Sequence, residues 1–483
     1  MGLLAMRRFS QALVLFASCF SLAKSADEEL WPLQKFKSSS IQTPFMNVTK
    51  MGTTEPGFLF LTPRDIIRET GHPAIYSDDG QLIWQGPNGN YSALQPQILN
   101  NEPVIAYWSG DVSRGFGFGA ITIVNSSYDK IHRVTLDCKA ENFVTIYDPL
   151  TFDSCIDIHE SEITDNGTIL VTAVNVTQAD LSSIGGPEDG WIQDALVYEI
   201  DIETNEILFR WSTYEHIDQV PLRDVRAPLE GSGGNKTDPY GYPHLNSVAK
   251  YGDSYLTQGQ TGGDFELGLD TSFCYQHDAR FRFQSDERVT ISLHNNELAS
   301  FTGHTSLTTG MVLDVELQGS KRVTLKSRMW DATEPVYAES QGSYQSLGNG
   351  HVLQQHGSTP KIEEFDENGT IVMRARFGYD KTMQTYRTYR YPWVGRPATK
   401  PDVVACVDGK NGKTAVYVSW NGATDVEYWK VYSGTEVKET AVRNGFETTI
   451  LVDGLTSGDS VVVEAVGGVG DGIRSESATV GQC

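Results

Sequence analysis

Apolar and polar positions alternate with a period of two through most of the chain. The run Val312-Leu-Asp-Val-Glu-Leu-Gln shows it plainly, and Gly, Asn and Asp turns punctuate such runs. No long helical period competes with this pattern, so the expected class is all-β. The alternating segments also repeat. The stretch from His159 to Trp211 reads as a strand, a turn, a second strand and then a hairpin turning at Glu203-Thr-Asn. The same plan recurs in LQPQILNNEPVIAYW with GAITIVNSSYDKIHRVTL, in QHDARFRFQSDERVTISLHNN with MVLDVELQGSKRVTLKSRM, and in GSYQSLGNGHVLQQ with PKIEEFDENGTIVMRARF. A rougher copy is GFLFLTP with HPAIYSDDGQLIW. Units of about four strands over roughly 40 to 70 residues, none able to bury its faces alone, predict the blades of a β-propeller.

Six blades are expected between about Phe58 and Phe377, within a domain spanning residues 26–388. The fourth is irregular. HLNSVAKYGDSYLT supplies the first half of a unit, but only Gln-Gly-Gln-Thr-Gly-Gly follows Thr257 before the next inter-blade loop. An open edge of that kind is normally avoided. The blade is therefore read as incomplete, and a sequence lacking one strand hairpin is the favoured explanation.

From Tyr389 the composition shifts. Residues 389–401, rich in proline, read as a linker. Residues 402–483 carry six short strand signals, with Trp420 and Trp429 as candidate core residues of a β-sandwich. The segment DGLTSGDSVVVEAVG resembles the turn and strand of fibronectin type III domains.

The first 25 residues stand apart. Arg7 and Arg8 precede the apolar run Ala12 to Ala23, and small residues lead to Ser25, the layout of a secretory signal peptide. The run is too short for a membrane span, and no later segment is long enough to be one. Export is also suggested by N-x-[ST] sequons at Asn47, Asn90, Asn125, Asn166, Asn175, Asn235 and Asn368. The expectation is a secreted, glycosylated protein. Cysteine usage agrees with an oxidising compartment. Cys138 can pair with Cys155, Cys406 and Cys483 bracket the last segment, and Cys274 is left as a buried thiol. The net charge of −24 disfavours nucleic acid and anionic membrane surfaces as partners.

Three units open with a histidine at the start of the first strand: His159 in IHES, His244 in PHLNS and His277 in YQHDAR. Equivalent positions on successive blades converge on one end of a central channel. The repeat therefore places three imidazoles around one axial pocket, with polar neighbours Glu160, Asn246, Asp278 and Arg280. Such imidazoles can act as nucleophile, acid or base. A single histidine at a strand start is usually a turn or core group; three at matched positions favour a site. Zinc is a rival use of three histidines and ranks below covalent chemistry. His72, His132, His216, His294, His304 and His351 do not share the matched position and read as structural or surface residues, while His356 in QQHGS lies nearer the candidate site. GSGGNKT (231–237) lacks P-loop spacing, and RGFGFG (114–119) lacks a βαβ setting, so no nucleotide site is expected.

IHESEITDNGTILVTA, GGPEDGWIQDALVYEID, HLNSV and FCYQHDARF together resemble the fungal branch of the arylsulfotransferase family. The resemblance covers roughly residues 30 to 380. It implies a six-bladed propeller that moves a sulfuryl group from a phenolic sulfate ester to another phenol, without a nucleotide donor or cofactor, through a sulfohistidine. It also implies that small phenols and aryl sulfates are the partners; the oligomeric state is left open. Carried over by motif, His277 is the nucleophile. His159 and His244 contact the transferring group or protonate the leaving phenolate, Asn246 binds a sulfuryl oxygen, and Asp278 is a candidate to orient His277. Sulfuryl transfer, like phosphoryl transfer, depends on positioned donors around peripheral oxygens. One departure weakens the expected activity. The family's Ser-Arg-His segment after HxNS is missing here, and with it an arginine at the sulfuryl group. A carbohydrate-active propeller enzyme such as a polysaccharide lyase, and a non-catalytic binding propeller, are the alternatives.

Overall fold

The computed structural model describes residues 30–482 apart from 114, 148–150, 226–227, 230, 258–264, 298–306, 408–411 and 469–470. The expected leader (1–25), His304 and Cys483 thus lie outside the described residues. Among those described there is no α-helix, only strands and three short 3-10 turns. Period-two alternation has become sheet throughout.

Six sheets follow one another along residues 47–391, and a small seventh joins Met383–Gln384, Arg64–Asp65 and Thr70–Gly71. The first contains Phe58–Leu61, Ala74–Tyr76 and Leu82–Gln85, and the second contains Tyr91–Leu99, Glu102–Ser113, Phe116–Val124 and Lys130–Val134. The third contains Ser161–Ile163, Thr168–Ala179, Gly190–Asp201 and Ile207–Ser212, with Tyr240–Tyr242 added in parallel. The fifth contains Gln276–Gln284, Arg288–Asn295, Thr309–Glu316 and Arg322–Met329, and the sixth contains Ser343–Ser346, Val352–Gln355, Lys361–Phe365 and Ile371–Arg376. Each of these is antiparallel along its main run, because hairpins connect neighbours.

Among the described residues the fourth sheet has two strands, Val248–Tyr251 and Ser254–Thr257. Neighbouring side chains cover part of the exposed flank: Tyr255 stacks on Phe209 at 4.2 Å, and Lys250 pairs with Glu199 at 2.7 Å.

Both ends of this region are tied across the chain. Asn47–Lys50 adds itself to Ile371–Arg376 of the sixth sheet. Thr388–Tyr391 adds itself to Phe58–Leu61 of the first. Each sheet touches the next in chain order, and the sixth touches the first. Apolar side chains are shared between sheets and not kept within one. Trp108, Phe118 and Ile121 pack with Ile169, Val171 and Tyr198 across the second and third sheets, and Leu59 and Tyr76 pack with Leu353 and Phe377 across the first and sixth. A sheet with one apolar face on each side has to be sandwiched in this way.

The glycine spacing of residues 115–119 belongs to this packing. A Cβ on Gly117 or Gly119 would lie 2.6 or 2.7 Å from the Trp108 ring. Trp108 itself donates to the Ile156 carbonyl at 2.9 Å. The motif makes room for an indole.

Residues 402–482 form two further four-stranded sheets around Trp420, Trp429 and a Val-rich core. They contain two strands beyond the six expected, Glu436–Val442 and Gly481–Gln482. The expected linker 389–401 begins too early. Tyr389 and Arg390 are buried in the strand that completes the first sheet, and Trp393 packs against Phe60. Proline-rich composition masked a strand whose register is set by a partner more than 300 residues away. The junction is closely fitted as well. Tyr128 stacks on Trp84 at 4.7 Å, donates to the Gly422 carbonyl at 2.8 Å and accepts from Trp393 at 3.0 Å. Asn421 exchanges two 2.9 Å hydrogen bonds with the backbone of Gln85.

Cys138 and Cys155 are joined, and Cys274 is a buried thiol. Cys406 is disulfide-bonded; its expected partner, Cys483, lies outside the described residues.

Tyr128→Phe removes one hydroxyl that serves both units and leaves the Trp393 N–H without its acceptor. Equilibrium unfolding in denaturant is expected to show a loss of about 1–3 kcal/mol.

Candidate functional site

A cavity of about 520 Å³ opens where segments from all six sheets come together. That is within the range of small-molecule sites. Its wall includes His159, His244 and His277, so the three matched histidines are brought together. Asn246 lines it too. Tyr91, Phe116, Tyr275 and Tyr386 give it aromatic faces. Among the described lining residues there is no carboxylate, in a chain with 62 acidic residues.

Each imidazole has a defined setting. The His277 ring is buried, and its Nδ1 lies 2.8 Å from Asn296 Oδ1 and 3.0 Å from the Tyr275 carbonyl. Its Nε2 receives the Gln341 backbone N–H at 3.1 Å. Nδ1 must therefore carry the hydrogen and Nε2 the lone pair. Burial pushes its pKa down to about 3, outweighing the Asn296 hydrogen bond that raises it, so the ring is neutral at ordinary pH. Asn296 also donates to the Gln341 carbonyl at 3.0 Å, which ties the end of the strand Arg288–Asn295 to the segment carrying Gln341. Three non-glycine residues around this ring have left-handed backbone: Tyr275 (φ 56°), Asp278 (φ 55°) and Gln341 (φ 65°). Strain of about 1–3 kcal/mol at each such residue tends to gather at functional sites.

His159 and His244 face each other, Nε2 to Nε2, at 3.1 Å. His159 Nδ1 hydrogen-bonds to Asp157, a buried acceptor that also holds the Gly117 N–H at 2.6 Å. Asp157 fixes the His159 tautomer and the loop carrying Phe116. The Phe116 ring lies against His244, with centroids 4.5 Å apart. Burial, then the nearby His159 and His277, holds His244 well below the usual imidazole range.

Glu160, Asp278 and Arg280 do not line the cavity. They form a buried ion cluster behind it. Glu160 accepts from Arg280 at 2.8 Å and from Arg387 at 3.0 Å. Asp278 accepts from Arg280, the Tyr344 N–H and the Tyr389 hydroxyl, each at 3.0 Å. Burial alone raises the Asp278 pKa, but Arg280 and Arg387 reverse it, and the net direction is downward. Arg387 also donates to the Asn246 carbonyl at 2.7 Å. The expected contact between Asp278 and His277 is thus replaced by Asn296, because the Asp278 carboxylate is taken up by Arg280, the Tyr344 N–H and the Tyr389 hydroxyl.

The remaining histidines sit elsewhere. His356 bonds Glu363 and His351 bonds Glu364, each at 2.9 Å; His216 bonds the Ser212 carbonyl at 2.8 Å. His294 is buried beside His356. Among the described residues no group of three or more metal-ligating side chains converges.

Asp157, Asn296, Gln341, Tyr386 and Arg387 escaped sequence reasoning. Only Asp157, two residues before His159, had a local signal. The others depend on strand register or on the closing strand.

Fold and cavity define an all-β protein with a histidine-lined aromatic site that has no carboxylate among its described lining residues. The family profile described as Arylsulfotransferase (ASST) matches residues 95–257 and 256–378. The chain belongs to the arylsulfotransferase family. The two matched stretches meet at Leu256–Thr257, the end of the two-stranded fourth sheet. No curated protein matches the chain. Similar solved structures include a DUF4221 family member from Bacteroides vulgatus (10% identity, 89% of this chain and 86% of that one, TM-score 0.23). Others are a thermostable family-43 glycoside hydrolase (12%, 72% and 99%, 0.23) and an exotype rhamnogalacturonan lyase (10%, 90% and 76%, 0.23). At these TM-scores none of them bears on fold or function.

Two outcomes test the site's electrostatics. Glu160→Gln leaves buried guanidinium groups short of one charge, and equilibrium unfolding is expected to show a loss of about 3–5 kcal/mol. The second concerns pH. His277 is neutral when folded and titrates near the ordinary imidazole value of 6.5 when unfolded. The unfolded chain binds more protons between those limits, so this contribution is complete above pH 6.5 and is lost as pH falls toward about 3. His277→Asn is expected to flatten the decline over that window in pH-dependent denaturation.

Proposed function

We propose that the cavity transfers a sulfuryl group between phenols through His277. One observation carries this reading: a buried, neutral imidazole with its Nδ1–H fixed faces a cavity that has aromatic walls and, among the described residues, no carboxylate. An anionic aryl ester meets no like charge there, and the lone pair of a neutral Nε2 is the nucleophile.

In the first half-reaction His277 Nε2 bonds to sulfur as the sulfur–phenolate oxygen bond breaks. The Gln341 N–H now facing that nitrogen is released to a sulfuryl oxygen, where it stabilises developing charge. The His159–His244 pair enters this step with one extra proton, as an imidazolium stabilised by Asp157, and becomes neutral as it gives that proton to the leaving phenolate. Asn246, held through its carbonyl by Arg387, lies beside the transferred group. In the second half-reaction a phenol returns its proton to that pair, its oxygen bonds sulfur, and the sulfur–nitrogen bond breaks.

The six sheets are read as propeller blades. The cross-chain strands 47–50 and 388–391 and the contact between sixth and first sheets support closure. Residues 402–482 are read as a fibronectin type III-like module. Export, with glycans on the exposed Asn47, Asn90, Asn166, Asn235 and Asn368, belongs to the same proposal.

A second reading, binding without turnover, is favoured by the two-stranded fourth sheet, at whose end the family match divides. Incubation with 4-nitrophenyl sulfate and phenol separates the two. Sulfotransfer predicts nitrophenolate release and, on quenching without acceptor, a single SO3 adduct on a His277 peptide that is lost in His277→Asn. Saturable binding of the ester with neither release nor adduct would establish the second reading.

A further inference from the structure

The arginine expected after HxNS is missing, yet the cavity does contain a cation. Arg64, half-buried on the short strand Arg64–Asp65, lines it, and it is the sole Lys or Arg among the described lining residues. The other buried arginines at this end are neutralised. Arg280 and Arg387 share Glu160 and Asp278, and Arg390 pairs with Glu364 at 2.9 Å. Arg64 differs. Its neighbour Asp65 is already engaged by the Arg68 guanidinium and the N–H groups of residues 67 and 68. Among the described residues nothing bonds the Arg64 guanidinium.

Its position places it beside the reacting histidines and not among them. Arg64 pairs across the strands with Gln384, another lining residue. Two residues further on, Tyr386 has its ring 5.5 Å from that of His159 and 6.3 Å from that of His277. An aryl ring lying along Tyr386 with its oxygen at the histidines therefore has its far end toward Arg64. A half-buried guanidinium with no protein partner is a ready fork for a planar anion.

We infer that Arg64 is a specificity-determining residue that binds a carboxylate on the aryl ring, opposite the oxygen that carries or receives the sulfuryl group. The favoured substrates are phenolic acids. This rests on the reading of the cavity as an aryl site, but not on turnover.

The test uses the full chain and two probes of one shape, 4-hydroxybenzoate and neutral 4-hydroxybenzamide, with binding measured by calorimetry and acceptor KM measured with 4-nitrophenyl sulfate as donor. The wild-type chain is expected to bind the acid about ten- to a hundredfold more tightly than the amide. In Arg64→Gln that ratio is expected to collapse toward one, and Arg64→Lys is expected to restore part of it, with unfolding midpoints confirming that the variants fold. Equal binding of the two probes by the wild-type chain, or a ratio unchanged in Arg64→Gln, would overturn the inference. If discrimination persists in binding while no sulfuryl transfer occurs, Arg64 keeps its role and the proposed reaction fails. If transfer occurs without discrimination, the reverse holds.

Discussion

Four buried charges at the inner end of the sheets hold the rest in register. Glu160 comes from the third sheet, Asp278 and Arg280 from the fifth, and Arg387 from the chain approaching the first. The Val248 N–H and the Asn246 carbonyl join them from the fourth, and the Tyr344 N–H from the sixth. Desolvating such ions costs several kcal/mol each, and the cost is offset only when every oxygen and guanidinium finds a partner. That condition is met only with the sheets at the right distance and rotation. Hydrophobic faces bring the sheets together; the ion cluster selects one arrangement among those that apolar packing would tolerate.

The histidines depend on that arrangement. Glu160 follows His159 in sequence, and Asp278 follows His277. With each acidic residue held in the cluster, the histidine before it lines the cavity. Carboxylates are thereby kept behind the wall, and the described lining residues include none. The acidic residues beside the histidines are thus better understood as anchors than as contacts with substrate.

The all-β class was legible because period-two patterning and turn residues are local signals. The meeting of His159, His244 and His277 was legible because the repeat itself carries their positions. The partners were harder. Asn296 reaches His277 only because the hairpin between Gln276–Gln284 and Arg288–Asn295 has a particular register with two irregularities. Gln341 offers its N–H through a left-handed backbone that no residue type there announces. Arg387 and the strand that follows it looked like the approach to a linker, since their pairing partners lie at the opposite end of the chain. Arg64, in LTPRD, has no local feature that separates it from a surface arginine.

The cross-chain strands have a consequence for how the molecule is made. The first sheet lacks Thr388–Tyr391, and the sixth lacks nothing but Asn47–Lys50, until both ends of a region of more than 300 residues exist at once. During synthesis the strand Phe58–Leu61 has to wait, with an unpaired apolar edge, while every other sheet emerges. Such long-range pairing is slow and leaves the early segment open to aggregation. This region is therefore one that its own N-terminus can neither begin nor finish alone. Its assembly is timed by the arrival of the last strand, next to Tyr386 in the cavity wall and Arg387 in the ion cluster behind it.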